Sequence, residues 1–595
     1  MNTTLYSLFM PPKDCFGDFG LFCGFTAAPQ VLRQIRRTFT GDMSRPVLAA
    51  FIHPTVDAVS DVPQLAWMWM HPRERGYNLL HAKVALLGFR RREDEGYVIR
   101  LAVSTGNWTQ DSLTGSIDLF WSVDLDIADP QPQDVADIRV AWAMFDWLRA
   151  RADCSLIERD YDGQRPDVRL GAAVRNLPAS NAQTRFIDSR TQALFPQVVE
   201  RLAKRRRADR LVLGSGYFET GGNGDSGLPE RLRQALRERG ALQRNAELDL
   251  FLNPRSCQGL AARAAALNEA GWTLRSPFSA LHGPEGRLHA KFVLLASGET
   301  EVKGRVYLGS GNLSRNGFET AASSGGNLEA GVVVDLPNGL KWRGKWGIAR
   351  CLPVQFSAAV TPTDLAPGES FVRPQEPDSM PPVSWMVWQD DLLSAPDDKT
   401  VKVIGADGAP VETPCAWPAP APAIVTLAGL DWRLPVITDG VLVTQRPRDL
   451  TVEDILATLA SFPEPSESDQ TDDGPEGGEA LTDGTGSPGG PQATYAIRRM
   501  MSLIVCLGEA QVKIDPLDWP RWCRELRQSL CAITAQENAM IGFFRDAGAN
   551  PLPALADPSM LPDGADLNAL QTALAAITKA WCLVGYPSLW DEEAA

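Results

Sequence analysis

The chain repeats one short phrase, His81-Ala82-Lys83 and His289-Ala290-Lys291. Each copy is followed by a second matching phrase, Ser104-Thr105-Gly106-Asn107 and Gly309-Ser310-Gly311-Asn312. There are only five histidines in 595 residues, so a repeat built on two of them constrains the fold more than composition does. Two stretches of chain must be built alike if both copies are to serve one purpose. Residues 79–87 and 288–295 read as buried strands. Residues two apart on a strand share a face, so each histidine points the same way as its lysine. Residues 98–105 and 305–310 read as the following strands. Each ends at Gly-Asn, where glycine lets the backbone turn and approach a ligand.

The repeat extends outward from the motifs. Residues 19–25 read as a strand, 30–39 as a helix and 47–52 as a strand ending at His53-Pro54. In the second half, 211–218 read as a strand, 229–239 as a helix and 248–252 as a strand ending at Asn253-Pro254. Strands alternating with helices imply sheets covered on both faces, an α/β layer structure. The expected architecture is two αβα sandwich lobes, 1–165 and 166–345, related by a pseudo-two-fold with one site on the seam.

The residue types suit one chemistry. A phosphodiester is anionic and repels a nucleophile unless its non-bridging oxygens are neutralised. Lysine supplies a compact cation and asparagine a neutral donor where charge builds. One histidine can attack phosphorus as a neutral imidazole while another protonates the leaving oxygen. An ordinary pKa near ~6.5 lets the two copies differ in charge.

These residues resemble the phospholipase D superfamily, in which two His-x-Lys copies meet at one site. The usual aspartate a few residues after the lysine is missing, since Gly88 and Ala296 fall near that place. The aspartate-free variant with a downstream asparagine resembles the tyrosyl-DNA phosphodiesterase branch. Tyr307-Leu308-Gly309-Ser310-Gly311-Asn312-Leu313-Ser314 is especially similar. The resemblance covers roughly residues 1–340. It implies that His81 attacks, that His289 is the acid and then the base, and that Lys83, Lys291, Asn107 and Asn312 hold the phosphate oxygens. Thr105 and Ser310 would help bind substrate, and Asp118 and Glu329 would orient the rings. No metal and no other cofactor is implied.

Weaker features surround these. Trp67-Met68-Trp69-Met70-His71 precedes the first motif and His282 precedes the second. Trp69 reads either as a base-stacking face or as a core residue, and His71 and His282 either line the mouth or lie on the surface. The loop 220–227 reads as a gate over the cleft. Net charge is −15 overall, but residues 1–345 carry 43 basic and 38 acidic side chains, and residues 346–595 carry 15 and 35. The front half is therefore compatible with a polyanion, through Arg33-Arg36-Arg37, Arg90-Arg91-Arg92 and Lys204-Arg205-Arg206-Arg207. A charge run of this kind is more often a solvated helix face or loop.

Residues 346–462 are proline-rich with short β-like runs at 383–388, 401–404 and 423–427, which suggests a small β-rich region on the core. Residues 463–492 hold Pro, Gly, Ser and acid with almost no large apolar residue, the composition of a disordered linker. Beyond it, 497–507, 520–532 and 567–583 carry helical apolar spacing. The helical region 493–595 is expected to bind a protein partner or to self-associate. Ten cysteines without a Cys-x-x-Cys pair suggest neither zinc nor a disulfide framework. No apolar run spans a bilayer and the N-terminus lacks a signal-peptide pattern, so a cytoplasmic location is expected.

The leading expectation is a metal-independent nuclease or nucleic-acid end-processing enzyme, with DNA favoured over RNA. Bacterial DNA repair or phage defence is an analogy only. The alternatives are a phospholipid headgroup hydrolase or transferase and a non-catalytic scaffold acting through the helical region.

Overall fold

The computed structural model describes residues 5–588 apart from 443–503, the shorter segments 40–44, 55–61, 92–95, 162–164, 220–226, 279–285, 515–518 and 532–538, and scattered positions between them. His282, the gate loop up to residue 226 and the 463–492 linker lie outside the described residues.

The chain is a mixed α/β protein built on two mixed sheets. In chain order the first half runs β1 (Cys15–Gly24), β2 (Leu48–Ile52), β3 (Leu65–Trp67), β4 (Trp69–Met70), β5 (Val84–Arg91), β6 (Tyr97–Ser104), β7 (Ser116–Ile117), β8 (Phe120–Asp126) and β9 (Ala152–Asp153). The second runs β10 (Phe186–Asp188), β11 (Ala208–Gly214), β12 (Leu242–Phe251), β13 (Trp272–Arg275), β14 (Arg287–Leu288), β15 (Phe292–Ser297), β16 (Lys303–Gly309) and β17 (Ala330–Asp335). The first sheet has the order β3-β2-β1-β5-β6-β8 and the second β10-β17-β16-β15-β11-β12-β13. In each, two parallel pairings are followed by three antiparallel ones. The second sheet adds β10 at its edge.

Parallel neighbours need a crossover, and amphipathic helices supply it. Helix Pro29–Phe39 opens with proline, whose missing N–H costs nothing at a first turn, and buries Val31, Leu32, Ile35 and Phe39 along one stripe. Its counterpart Gly227–Glu238 buries Leu228, Leu232 and Leu236.

The two halves share one apolar core. Leu101 and Leu125 of the first sheet pack in the same cluster as Phe186, Leu308 and Val332 of the second, with Ile138 and Phe145 of helix Pro132–Arg149. Asp137 on that helix is fully buried. It accepts hydrogen bonds from the Arg185 backbone N–H and Nε, at 2.5 and 2.6 Å, and from the Thr184 hydroxyl at 2.9 Å. A buried charge paired this way resists separation of the halves, because parting them would strand it.

The strands Met386–Gln389, Leu392–Ser394, Cys415–Ala416, Ile424–Thr426 and Arg433–Thr438 form a further small sheet. Met386, Val425, Trp432 and Val436 join the core containing Phe22, Leu48 and Ala50, while Trp385, Ile437 and Leu442 join the core shared by the two halves. Helices Trp519–Cys531, Ala539–Asp546 and Leu567–Ala580 surround a separate core that includes Trp522, Leu526, Phe544, Leu574 and Trp581.

The structure corrects the placement of the His-x-Lys phrases. They do not lie inside strands, because β5 begins at Val84 and β15 at Phe292. Each phrase is an extended lead-in whose backbone pairs with the other half: Leu80 bridges Leu328, and β14 pairs with β7. The strand expected at 211–218 likewise stops at Gly214. Past it the chain passes so close to the second lead-in that a Cβ on Gly216 would lie 2.5 Å from the Leu288 carbonyl oxygen.

Candidate active site

The lead-ins bring the two motifs together. The N–H groups of His81 and Ala82 both donate to the Leu328 carbonyl, at 2.9 and 2.7 Å. Those of His289 and Ala290 both donate to the Ile117 carbonyl, at 3.1 and 2.8 Å. Leu328 and Ile117 each precede an acid, so this pairing sets Glu329 beside His81 and Asp118 beside His289. The Nδ1-to-oxygen distances are 2.8 and 2.9 Å. Each histidine is held by a carboxylate from the opposite half. A carboxylate can only accept, so the neutral ring carries its proton on Nδ1 and leaves the Nε2 lone pair available.

The acids are fixed in turn. Asp118 accepts from the Thr105 and Ser116 hydroxyls at 2.8 and 2.6 Å. Glu329 accepts from the Ser310 hydroxyl at 2.5 Å and the Asn327 amide at 3.2 Å. This revises the expectation for Thr105 and Ser310. Both are fully buried, and their single hydroxyl protons go to the ring-orienting acids, leaving none to donate to a substrate.

Lys83 and Lys291 are also buried. Each ammonium donates to the carbonyl of its own histidine two residues back, at 2.7 and 2.5 Å. Asn107 and Asn312 are half-buried, and the Oδ1 atom of each has no hydrogen-bond partner among the described residues. The preceding glycines serve proximity. A Cβ on Gly106 would lie 2.6 Å from Asp118 Oδ2, and one on Gly311 would lie 2.6 Å from Leu194 Cδ1 and 2.8 Å from the Gly317 carbonyl.

Burial dominates the electrostatics. It lowers the His81 pKa to about 4, opposed by Glu329 and assisted by Lys83. His289 is lowered by burial and by Lys291, against Asp118. Burial and the neighbouring Lys291 charge bring Lys83 down to about 7; burial brings Lys291 to about 8, against both carboxylates. Burial would raise Asp118, but His289, Lys291 and the Ser116 hydroxyl outweigh it and hold the carboxyl well below its usual range. These shifts keep both imidazoles neutral near pH 7. An anion bound here would reverse the lysines' effect and raise the proton affinity of the rings.

These shifts make a stability prediction. His53 and His81 are lowered to about 4 and His289 is lowered too. Their folded pKa values lie below the unfolded value of ~6.5, so the unfolded chain binds protons more readily between the two. Stability is full above the unfolded pKa and is lost as pH falls towards the folded one. The melting temperature should drop on acidification from about pH 7 to about pH 5, and an unchanged value would contradict neutral buried rings.

Two positioning residues were not singled out from the sequence. The Leu80 N–H donates to His53 Nδ1 at 3.2 Å, and the Leu288 N–H donates to Asn253 Oδ1 at 2.8 Å. Each side chain pins the residue just before a motif histidine. The signal was a polar residue followed by proline at the end of the second strand in both halves. Phe25 stacks on the His53 ring at 5.3 Å and tilts against His81 at 5.6 Å.

Other candidates lie apart from this geometry. Trp69 is buried, with its ring 6.2 Å from Trp432 in the packing against the β-rich region, so it offers no free stacking face. His71 is half-buried, and its backbone N–H donates to the Arg151 carbonyl. The basic clusters are partly spent inside the fold: Arg36 is buried, Arg90 covers the Phe16 ring, and Arg91 pairs with Asp126.

No protein-family model matches the chain, and no curated protein matches it. Among solved structures, yeast tyrosyl-DNA phosphodiesterase is similar at a TM-score of 0.38 and 12% identity, over 56% of this chain and 86% of that one. Polyphosphate kinase from Porphyromonas gingivalis is similar at a TM-score of 0.31 and 12% identity, over 56% of this chain and 42% of that one. At these scores the functional reading rests on the site itself.

Proposed function

We propose that the chain is a metal-independent phosphodiesterase of the phospholipase D type acting on nucleic acid, its two lobes related by a pseudo-two-fold. The observation that carries this reading is the reciprocal pairing of His81 with Glu329 and His289 with Asp118. Two imidazoles with fixed tautomers, flanked by two lysines, form an acid–base and nucleophile pair in a cationic setting.

In the first displacement His81 Nε2 bonds to phosphorus as the P–O bond to the leaving group breaks, and His289, protonated on substrate binding, gives its proton to that oxygen. In the second, neutral His289 takes a proton from water. The resulting hydroxide bonds to phosphorus, and the P–N bond returns its electron pair to His81. Lys83, Lys291, Asn107 and Asn312 neutralise and orient the equatorial oxygens. The more exposed ring, His289 at 29% against 10% for His81, is the one that must meet leaving group and water.

A cavity of about 850 Å3 reaches Asp118 but none of the motif histidines, lysines or asparagines, and is lined by Trp121, Arg201, Lys204, Arg305 and Arg350 together with Asp335, which pairs with Arg305. Cations on its walls suit a polyanion. Among the described residues no helix is long and apolar enough to cross a membrane. The helical region at the C-terminus serves in this reading as a protein-binding or self-association module.

The test is cleavage of end-labelled single- and double-stranded DNA and RNA in EDTA. Cleavage undiminished by chelation is expected, with DNA preferred. A strict divalent-metal requirement would remove the mechanism, and cleavage of phosphatidylcholine vesicles in place of any strand would overturn the substrate class.

A further inference from the structure

The β-rich region sends one segment back to the first half of the site. Arg373 donates to the Asn78 side-chain oxygen at 2.9 Å, and the Asn78 amide donates to Asn327 Oδ1 at 3.0 Å. Asn327 then donates to Glu329, the acid that holds His81. In the other direction Arg373 donates to Glu376 at 2.8 Å, and Glu376 lies 3.2 Å from His53 Nε2. His53 Nδ1 accepts from the Leu80 N–H, one residue before His81. The bonds close a ring that begins and ends at the catalytic imidazole. Arg75 braces it through Glu376 at 2.5 Å.

The ring has a directional logic. The Asn327 amide must turn its N–H towards Glu329 and its oxygen towards Asn78, and the Asn78 amide must do the same one step further out. Arg373 has donors only, so it can face nothing but the Asn78 oxygen, and this sets both amides. Glu376 only accepts, so it requires a proton on His53 Nε2. In the neutral ring that leaves Nδ1 as the acceptor the Leu80 N–H needs. Two charged residues about 300 positions from the motif thereby fix the orientation of everything around His81. On the His289 side of the site, Asp118 is held by Thr105 and Ser116 of its own half, and Asn253 takes the place of His53.

We infer that Arg373 and Glu376 are positioning residues for the His81 half of the site. They make the β-rich region part of the active enzyme and act on His81 through Asn78–Asn327–Glu329 on one side and His53–Leu80 on the other. This rests on the proposed phosphodiesterase activity for its kinetic readout but not for its structural one.

The side chain of Arg373 is half-exposed, at 50%, so Arg373→Met should leave the full-length protein folded. Without the guanidinium, the Asn327 donor to Glu329 is free to turn away, and Glu329 becomes the stronger acceptor for His81. Lys83 and Lys291 are the other charges acting on that ring. The variant should lose roughly 10- to 100-fold in kcat with KM little changed, as misorientation at a reacting group does. The acid limb of its pH profile should move upward. Arg373→Lys should recover part of the rate, and Glu376→Gln should show a similar loss.

Histidine 15N NMR of the full-length protein gives a readout independent of activity: the His81 titration should move upward in Arg373→Met. An unmoved His81 titration overturns the inference, whether the rate is unchanged or merely reduced without rescue by lysine. If the wild type cleaves no nucleic acid, the functional reading fails, and the NMR titration still decides the positioning role.

Discussion

His81→Ala is expected to lower strand cleavage in EDTA by roughly 10^4-fold or more, while leaving the protein folded and bound to nucleic acid. The size follows from what the substitution removes. In the proposed mechanism, losing an oxygen-binding donor weakens one stabilising contact, but losing the nucleophile leaves phosphorus to be attacked by water alone. His289→Ala separates the two displacements. Without its proton the leaving oxygen departs slowly, and without its base the phosphohistidine is not hydrolysed. A substrate with a good leaving group should therefore release its first product once and leave labelled phosphate on the protein, alkali-stable and acid-labile. His81→Ala in the same assay should carry no label. Label on protein lacking His81, or a His81→Ala rate within about tenfold of wild type, would assign the nucleophile elsewhere.

Much of the candidate site was legible because its parts recur. His81, Lys83 and Asn107 stand in the same order as His289, Lys291 and Asn312, and Asp118 and Glu329 follow at comparable offsets. The succession of strands and helices along each half was legible in outline, since apolar runs and crossover helices repeat from one half to the other, but the order of strands within each sheet was not. Three things were not legible. The first is the exchange of partners. Nothing in a linear repeat says that Glu329 serves His81, 248 residues away, or that Asp118 serves His289 across 171. That follows from backbone pairing at Leu80–Leu328 and β14–β7, which hydrophobic patterning does not encode. The second is the division of labour among hydroxyls: Thr105 and Ser310 lie beside the asparagines, but full burial directs them at acids. The third is the ring through Arg373 and Glu376, whose members occur once and in a proline-rich stretch with no repeat to mark them. Trp69 shows the converse, an aromatic near a motif that is spent on packing.

The second large effect concerns the lysines and has a sign that can be checked. Lys83→Met is expected to reduce kcat by about 10^3-fold, at the upper end for loss of one transition-state donor, because the ammonium is buried and water cannot replace it. Lys83→Arg should rescue little. Lys83 is fully buried and its ammonium donates to the His81 carbonyl, so the larger planar guanidinium would have to displace packed neighbours to reach the same place. Wild-type pH dependence carries the same argument. In the free enzyme His289, the acid of the proposed mechanism, is held below its ordinary value, while the Lys83 ammonium is brought down to about 7 and that of Lys291 to about 8, so kcat/KM should fall as pH rises and first the His289 proton and then the cations are lost. Its acid limb should lie far lower, since His81 is already neutral above about 4. Binding an anionic phosphodiester restores the ammonium form and moves the alkaline limb of kcat to higher pH than that of kcat/KM. Coincident alkaline limbs near the ordinary lysine value of ~10.4 would mean that the lysines are not desolvated together in the working enzyme. Separated limbs, with the lower one erased in Lys83→Met, would show that substrate charge holds the site in its active protonation state.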